Sequence, residues 1–303
     1  MIGGIAPWFG AKRTLAPEIV AELGEHKAYF ELFGGSMAVL LAKPVVSSET
    51  VNDLHGDLIN LARVVQGERT GCELYRRLRR TLCVRELFDE AAARVRERGR
   101  PPAGQPDVDR AYDYFVASWL GMNGVAGTNK YNNGFSRRFT ATGGSQGMRF
   151  TGAINSVPSW RRRMARVTVL NEDSFGLLER IADHAGTAIY CDPPYLTKGA
   201  SYVHDFRPED HVRLAELLGR FKRARVVVSY YDDPRLDELY PGWLKRRFNV
   251  QKALANALVS TEVREGLDAA EPVRATEVLL INGRSLADRS RGLFDDACRE
   301  SDQ

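Results

Sequence analysis

Cysteine is scarce in this chain. The four in 303 residues, Cys72, Cys83, Cys191 and Cys298, form no Cys-x-x-Cys pair and have no histidine at metal-ligand spacing. They read as reduced thiols of a cytoplasmic protein, not as a disulfide framework or a zinc site. Long apolar runs are also missing, so neither a bilayer-spanning helix nor a signal peptide is expected. The sequence holds no Gly-x-x-x-x-Gly-Lys-Ser/Thr loop, no dinucleotide fingerprint and no internal repeat. Charge of one sign is not in excess either. With 43 Lys+Arg against 39 Asp+Glu and a net charge of +4, any attraction for a polyanion must come from local patches. At 44% hydrophobic, the chain can bury a substantial core and hold one large domain with an insertion.

What is present is the tetrapeptide Asp192-Pro193-Pro194-Tyr195, directly after the apolar run Thr187-Ala188-Ile189-Tyr190-Cys191. It points to methyl transfer onto an amino nitrogen. An exocyclic amine is a poor nucleophile because its lone pair is delocalised, so a catalyst must aim acceptors at its hydrogens. The Asp192 carboxylate and the Pro193 carbonyl can accept them, the two prolines fix the backbone, and Tyr195 can stack on the ring. A proline-rich turn after a strand is the plain alternative. Cys191 lacks the preceding proline of a cytosine-C5 nucleophile and is expected to be buried at the strand end.

Upstream, Tyr29-Phe30-Glu31-Leu32-Phe33-Gly34-Gly35-Ser36-Met37-Ala38-Val39-Leu40 reads strand, glycine turn, helix. Paired glycines let backbone approach a ligand closely. Val51-Asn52-Asp53 follows, placing an acid at the end of a second strand where ribose hydroxyls of a nucleoside cofactor can be held. Asp173 follows a third, Val167-Thr168-Val169-Leu170.

These residues resemble the Dam-like, D12 class of adenine-N6 DNA methyltransferases. Trp8-Phe9-Gly10-Ala11-Lys12 is similar to the family's N-terminal Trp-x-Gly-Gly-Lys block, with Ala11 in place of the second glycine. Glu31 to Ser36 matches the cofactor loop, with Ser36-Met37 where Gly-Ala is usual. Asn52-Asp53 matches the ribose-binding acid and Asn171-Glu172-Asp173 the acid of the next strand. Val226 to Tyr231 and Glu277 to Asn282 resemble the closing strands, so the likeness covers nearly the whole chain. It implies S-adenosylmethionine contacts at Trp8, Lys12, Asp53 and Asp192, with Asp173 at the next strand end and Phe33, Gly34 and Gly35 lining the loop.

Between these segments the composition changes. Residues 71–100 read as helical and arginine-rich, with Leu74, Leu78, Leu82 and Leu87 as core positions. Arg100-Pro101-Pro102 opens a break, and a helix is expected over Asp109 to Leu120. Residues 121–152 are dense in Gly, Asn, Ser and Thr, with Asn123, Asn129, Lys130, Asn133, Arg137 and Arg138 among aromatics. Amides and arginines there can read base edges or grip phosphates, and a surface loop is the plain alternative. The resembled family places target recognition at this point of the chain. Arg76-Arg77, Arg79-Arg80 and Arg161-Arg162-Arg163 are further basic patches. A helix over Pro208 to Phe221, strands over Arg225 to Tyr231, Trp243 to Val250 and Thr276 to Asn282, and a loose tail from Ser285 complete the reading.

The expected fold is therefore α/β, a Rossmann-like S-adenosylmethionine-dependent methyltransferase with an inserted, mostly helical and loop-rich DNA-recognition region. Residues 1–70 and 157–303 form the catalytic domain and 71–156 the insertion. The expected reaction moves a methyl group from S-adenosylmethionine to adenine N6 in double-stranded DNA, without a metal, with Asp192, Pro193, Pro194 and Tyr195 as the catalytic turn. Cytosine-N4, RNA and protein-glutamine methylation, and a silent nucleic-acid-binding relative, are the rivals. The resemblance implies a monomer in a prokaryotic or phage-infected cell. It leaves a cognate restriction enzyme, solitary action and a phage or mobile-element origin as alternatives.

Overall fold

The computed structural model describes residues 3–8, 10, 12–99, 104–122, 134–136, 145–196, 206–251 and 274–287. Among them seven strands form one sheet: β1 (Ala28–Glu31), β2 (Ser48–Asn52), β3 (Val167–Leu170), β4 (Thr187–Cys191), β5 (Arg225–Tyr231), β6 (Leu244–Gln251) and β7 (Arg274–Ile281). Their order is β3-β2-β1-β4-β5-β7-β6. The first five run parallel, and β7 enters antiparallel between β5 and β6. All five residues of β4 are buried, as a strand covered on both faces requires.

Alternation along the strands sorts their side chains into two cores. Ala188, Tyr190, Val227, Leu279 and Ile281 join one apolar cluster, whereas Ile189, Cys191, Val226, Val228, Val278 and Leu280 join the other. The first is covered by α1 (Ala16–Leu23), α2 (Ala38–Ala42) and α3 (Gly56–Gln66), the second by α8 (Ser174–Arg180), α9 (Pro208–Gly219) and α10 (Arg235–Leu239). The result is a three-layered, mixed α/β architecture of the Rossmann-like kind expected from the sequence.

The intervening region builds α4 (Glu68–Leu78), α5 (Arg85–Glu97), α6 (Val108–Leu120) and α7 (Gln146–Met164), which pack on α3 and on one another. Trp119 and Trp160 stack at 6.4 Å beside Phe115 and Phe150 at their centre. Residue 157, the sequence-based boundary, lies inside α7.

Two sequence expectations need correction. Leu82 is not core: its side chain is 67% exposed in the connection between α4 and α5. The leucine spacing continues past Leu78, but Thr81-Leu82-Cys83-Val84 is poor helix-forming sequence. Thr81 turns its hydroxyl back onto the Arg77 carbonyl at 3.0 Å and Val84 is extended. Nor is the tail loose at its start. Ser285 Oγ and the Leu286 amide both donate to the buried Glu22 carboxylate, at 2.6 and 3.0 Å, which also holds Arg225 and Arg246. Among the described residues, no helix is long and apolar enough to cross a membrane.

Candidate active site

Chain order along the sheet reverses between β1 and β4, and a crevice opens at their carboxyl ends, as in other open α/β sheets. A cavity of about 280 Å³ lies there. Trp8, Lys12, Phe33, Gly34, Gly35, Asp53, Asp173, Asp192, Pro193, Pro194 and Tyr195 all line it. The sequence-derived cofactor and catalytic residues, which span 188 positions of the chain, thus meet in one place.

The loop after β1 is shaped by close packing. Gly34 donates to the Asn52 carbonyl at 2.8 Å, and a Cβ on it would lie 2.7 Å from Val51 Cγ2. Gly35 has φ +45°. The loop then delivers Met37, also at positive φ, into the start of α2. Asp53 braces it: one carboxylate oxygen accepts the Gly35 amide and the other the His55 amide, both at 2.8 Å. Asn52, fully buried, laces the ends of β1 and β3 through the Leu32 carbonyl and the Glu172 backbone. Asp173 caps α8 by accepting the Gly176 amide at 2.9 Å while still facing the cavity. Trp8 packs edge-on to His55, at 5.5 Å between ring centres.

The turn after β4 is held by donors from two distant segments and from within the turn itself. Asp192 Oδ2 lies 3.0 Å from Lys12 Nζ. Asp192 Oδ1 accepts the Ser229 hydroxyl at 2.9 Å and the Tyr195 hydroxyl at 3.2 Å. The Tyr190 hydroxyl in turn sits 2.9 Å from Ser229 Oγ. The Tyr195 ring meets Tyr231 edge-on at 4.4 Å and lies 5.0 Å from Lys12 Nζ. A carboxylate offers about four lone-pair sites. Among the described residues three donors occupy it, which leaves capacity for one substrate hydrogen.

Lys12 is only 4% exposed. Burial works against its charge, but Asp192 and Glu277 outweigh that and its pKa is raised. Glu277 Oε1 lies 3.7 Å from Nζ, and burial pushes this carboxyl up. Glu31 lines the deep end of the cavity, where burial lifts it to about 8 although Tyr29 and the Leu40 amide donate to it. Cys191 is fully buried and its thiol is likewise pushed up, which suits packing and not nucleophilic attack.

Residues 8–255 match the family described as D12 class N6 adenine-specific DNA methyltransferase. The chain belongs to that class. This D12-class methyltransferase is also 25% identical over 305 residues to the Retron Ec67 DNA adenine methylase of Escherichia coli, a match that covers 98% of both chains. Among solved structures it is similar to the crystal structure of SMU.472 complexed with SAH, at 10% identity and a TM-score of 0.23. That match covers 69% of this chain and 55% of the other. Family membership makes the enzyme an adenine-N6 DNA methyltransferase and disfavours the cytosine-N4, RNA, protein-glutamine and silent rivals.

Other expectations fare differently. Asn123, Asn129, Lys130, Asn133, Arg137 and Arg138 lie outside the described residues. In the Arg161-Arg162-Arg163 run, Arg162 is exposed and donates to the Ser159 hydroxyl at 3.1 Å. Arg163 forks onto the buried Glu49 at 2.6 and 2.8 Å, and Arg161 reaches Glu68 at 3.2 Å. Cavity or turn residues not singled out by sequence include Glu31, His55, Phe175, Phe206, Asp210, Ser229 and Glu277. Glu31 alone carried a signal, as the acid that opens the glycine-loop segment.

Proposed function

We propose that this cavity holds S-adenosylmethionine and that the Asp192 turn presents a flipped adenine of double-stranded DNA to it. The cofactor fits the donor set. Four acids, Asp53, Asp173, Asp192 and Asp210, face one lysine around the cavity, an excess suited to a ligand with a sulfonium, an ammonium and a sugar diol. Phe206, with the Phe33 and Phe175 rings each 5.6 Å from it between centroids, adds an aromatic wall suited to a purine. When bound, the cofactor supplies a methyl group already carried on its own leaving group.

The chain's residues supply the rest. Asp53 and the Gly34-Gly35 turn shape the nucleoside end. Asp192 and the Pro193 carbonyl accept the two amine hydrogens, which localises the nitrogen lone pair and favours positive charge there as the bond forms. Tyr195 gives the extruded base a surface, since N6 is out of reach inside a stacked duplex. The proton then leaves N6 to Asp192 or to water. The insertion at 71–156 carries target recognition, with Asn123, Asn129, Lys130, Asn133, Arg137 and Arg138 facing DNA. The observation that carries this reading is Asp192 itself, fixed by Lys12, Ser229 and Tyr195 on the wall of the cavity. Incubation with tritiated S-adenosylmethionine and unmethylated genomic DNA, followed by digestion to nucleosides, should place label in N6-methyladenosine. Label in N4-methylcytosine would overturn the base assignment.

A further inference from the structure

Glu277 sits on β7, the strand that enters the sheet antiparallel, in register with Tyr231 at the end of β5. That places it two residues from the level of Ser229, behind the catalytic turn. Its side chain is 8% exposed, and Lys12 is its one ion-pair partner among the described residues. Burying a carboxylate there carries a desolvation cost that an apolar residue would not. Nor does Lys12 need it for satisfaction, because the ammonium already reaches Asp192 at 3.0 Å and the Gly10 carbonyl at 2.7 Å. The fold alone gives no reason for an acid at this position, whereas the charge balance of the site does.

We propose that Glu277 is a positioning residue for methyl transfer, sharing the Lys12 ammonium with Asp192 so that the Asp192 carboxylate keeps its orientation and its negative charge toward the substrate amine. The inference rests on the reading of Asp192 given above. Two carboxylates and one ammonium leave the trio net negative beside a nitrogen that becomes positive as the methyl group arrives. Without Glu277, Lys12 and Asp192 form a neutral pair, and the ammonium is free to close on the carboxylate that must accept the amine hydrogens. The 3.7 Å separation from Glu277 against 3.0 Å from Asp192 fits a residue that tempers the pair without displacing it.

The test compares Glu277→Gln and Glu277→Asp with the parent enzyme in single-turnover DNA methylation, alongside cofactor titration and thermal unfolding. The glutamine variant should lose about 10-fold to 100-fold in rate, with unchanged cofactor affinity and an unfolding midpoint no lower than the parent's. The aspartate variant should recover part of the rate. Glu277→Met gives the same readout should the glutamine variant fail to fold. A parent-like rate in Glu277→Gln, a rate loss that follows lost cofactor affinity or a lowered midpoint, or no recovery with aspartate would overturn the inference. A parent that labels no adenine would overturn the underlying reading instead, so the two failures are distinguishable.

Discussion

Gly35 stands so close to Trp8 that a Cβ on it would lie 3.0 Å from the indole Nε1. Its φ of +45° independently disfavours any L side chain, by about 1–2 kcal/mol. Gly35→Ala should therefore lower stability by about 1–3 kcal/mol, displace the indole and weaken cofactor binding. Denaturant unfolding and a tryptophan-fluorescence titration with S-adenosylmethionine check both.

Asp53 links the ends of β1 and β2 through two backbone amides. Hydrogen bonds to a charged acceptor contribute about 1.5–3 kcal/mol each, so Asp53→Ala should cost stability on that scale and cofactor affinity with it. Asp53→Asn, which keeps one acceptor oxygen, should fall between the two. Calorimetric titration of each variant decides.

Glu31 gives stability a pH dependence. Its ordinary value is 4.5 and burial raises it to about 8 in the fold, so between these values the folded state holds a proton that the unfolded chain has released. Stability should fall as pH rises through that window and level off above it, by on the order of 5 kcal/mol in full. Glu31→Gln removes the titration and should flatten this slope, raising stability most at the alkaline end. Urea unfolding across the window tests the sign.

Arg163 and the Arg137-Arg138 pair should separate cleanly. Arg163 and Lys43 both hold the buried Glu49, and breaking such a group by removing one partner costs about 3–5 kcal/mol. Arg163→Met should thus lower stability and leave the salt slope of DNA binding alone. Arg137→Ala with Arg138→Ala should leave stability alone and reduce that slope by about 2.

Much of the site was legible because its chemistry sits in short, local patterns. The glycine pair after β1, the acids after β2, β3 and β4, and the Pro-Pro turn each follow an apolar run, so strand ends and cavity-lining residues could be placed together. β5 was readable from Arg225 to Tyr231 because its apolar run stands between turn residues. What sequence could not supply were partners joined only by folding. Lys12 meets Asp192 and Glu277 across most of the chain, and a lone lysine gives no sign of burial. Ser229 lies within a strand of valines and tyrosines, where a serine is indistinguishable from a packing residue until its hydroxyl is seen 2.9 Å from Asp192. The leucine spacing that misplaced Leu82 shows the reverse failure, a periodicity that outlasts the helix carrying it.

In the proposed mechanism, Asp192 is the acceptor that readies the adenine amine. The most direct measurement is the single-turnover methylation rate of Asp192→Ala on unmethylated DNA, with folding verified in the same preparation. Removing such an acceptor should cost about 100-fold or more, at saturating cofactor and DNA. A folded Asp192→Ala enzyme that methylates adenine near the parent's rate would contradict the account.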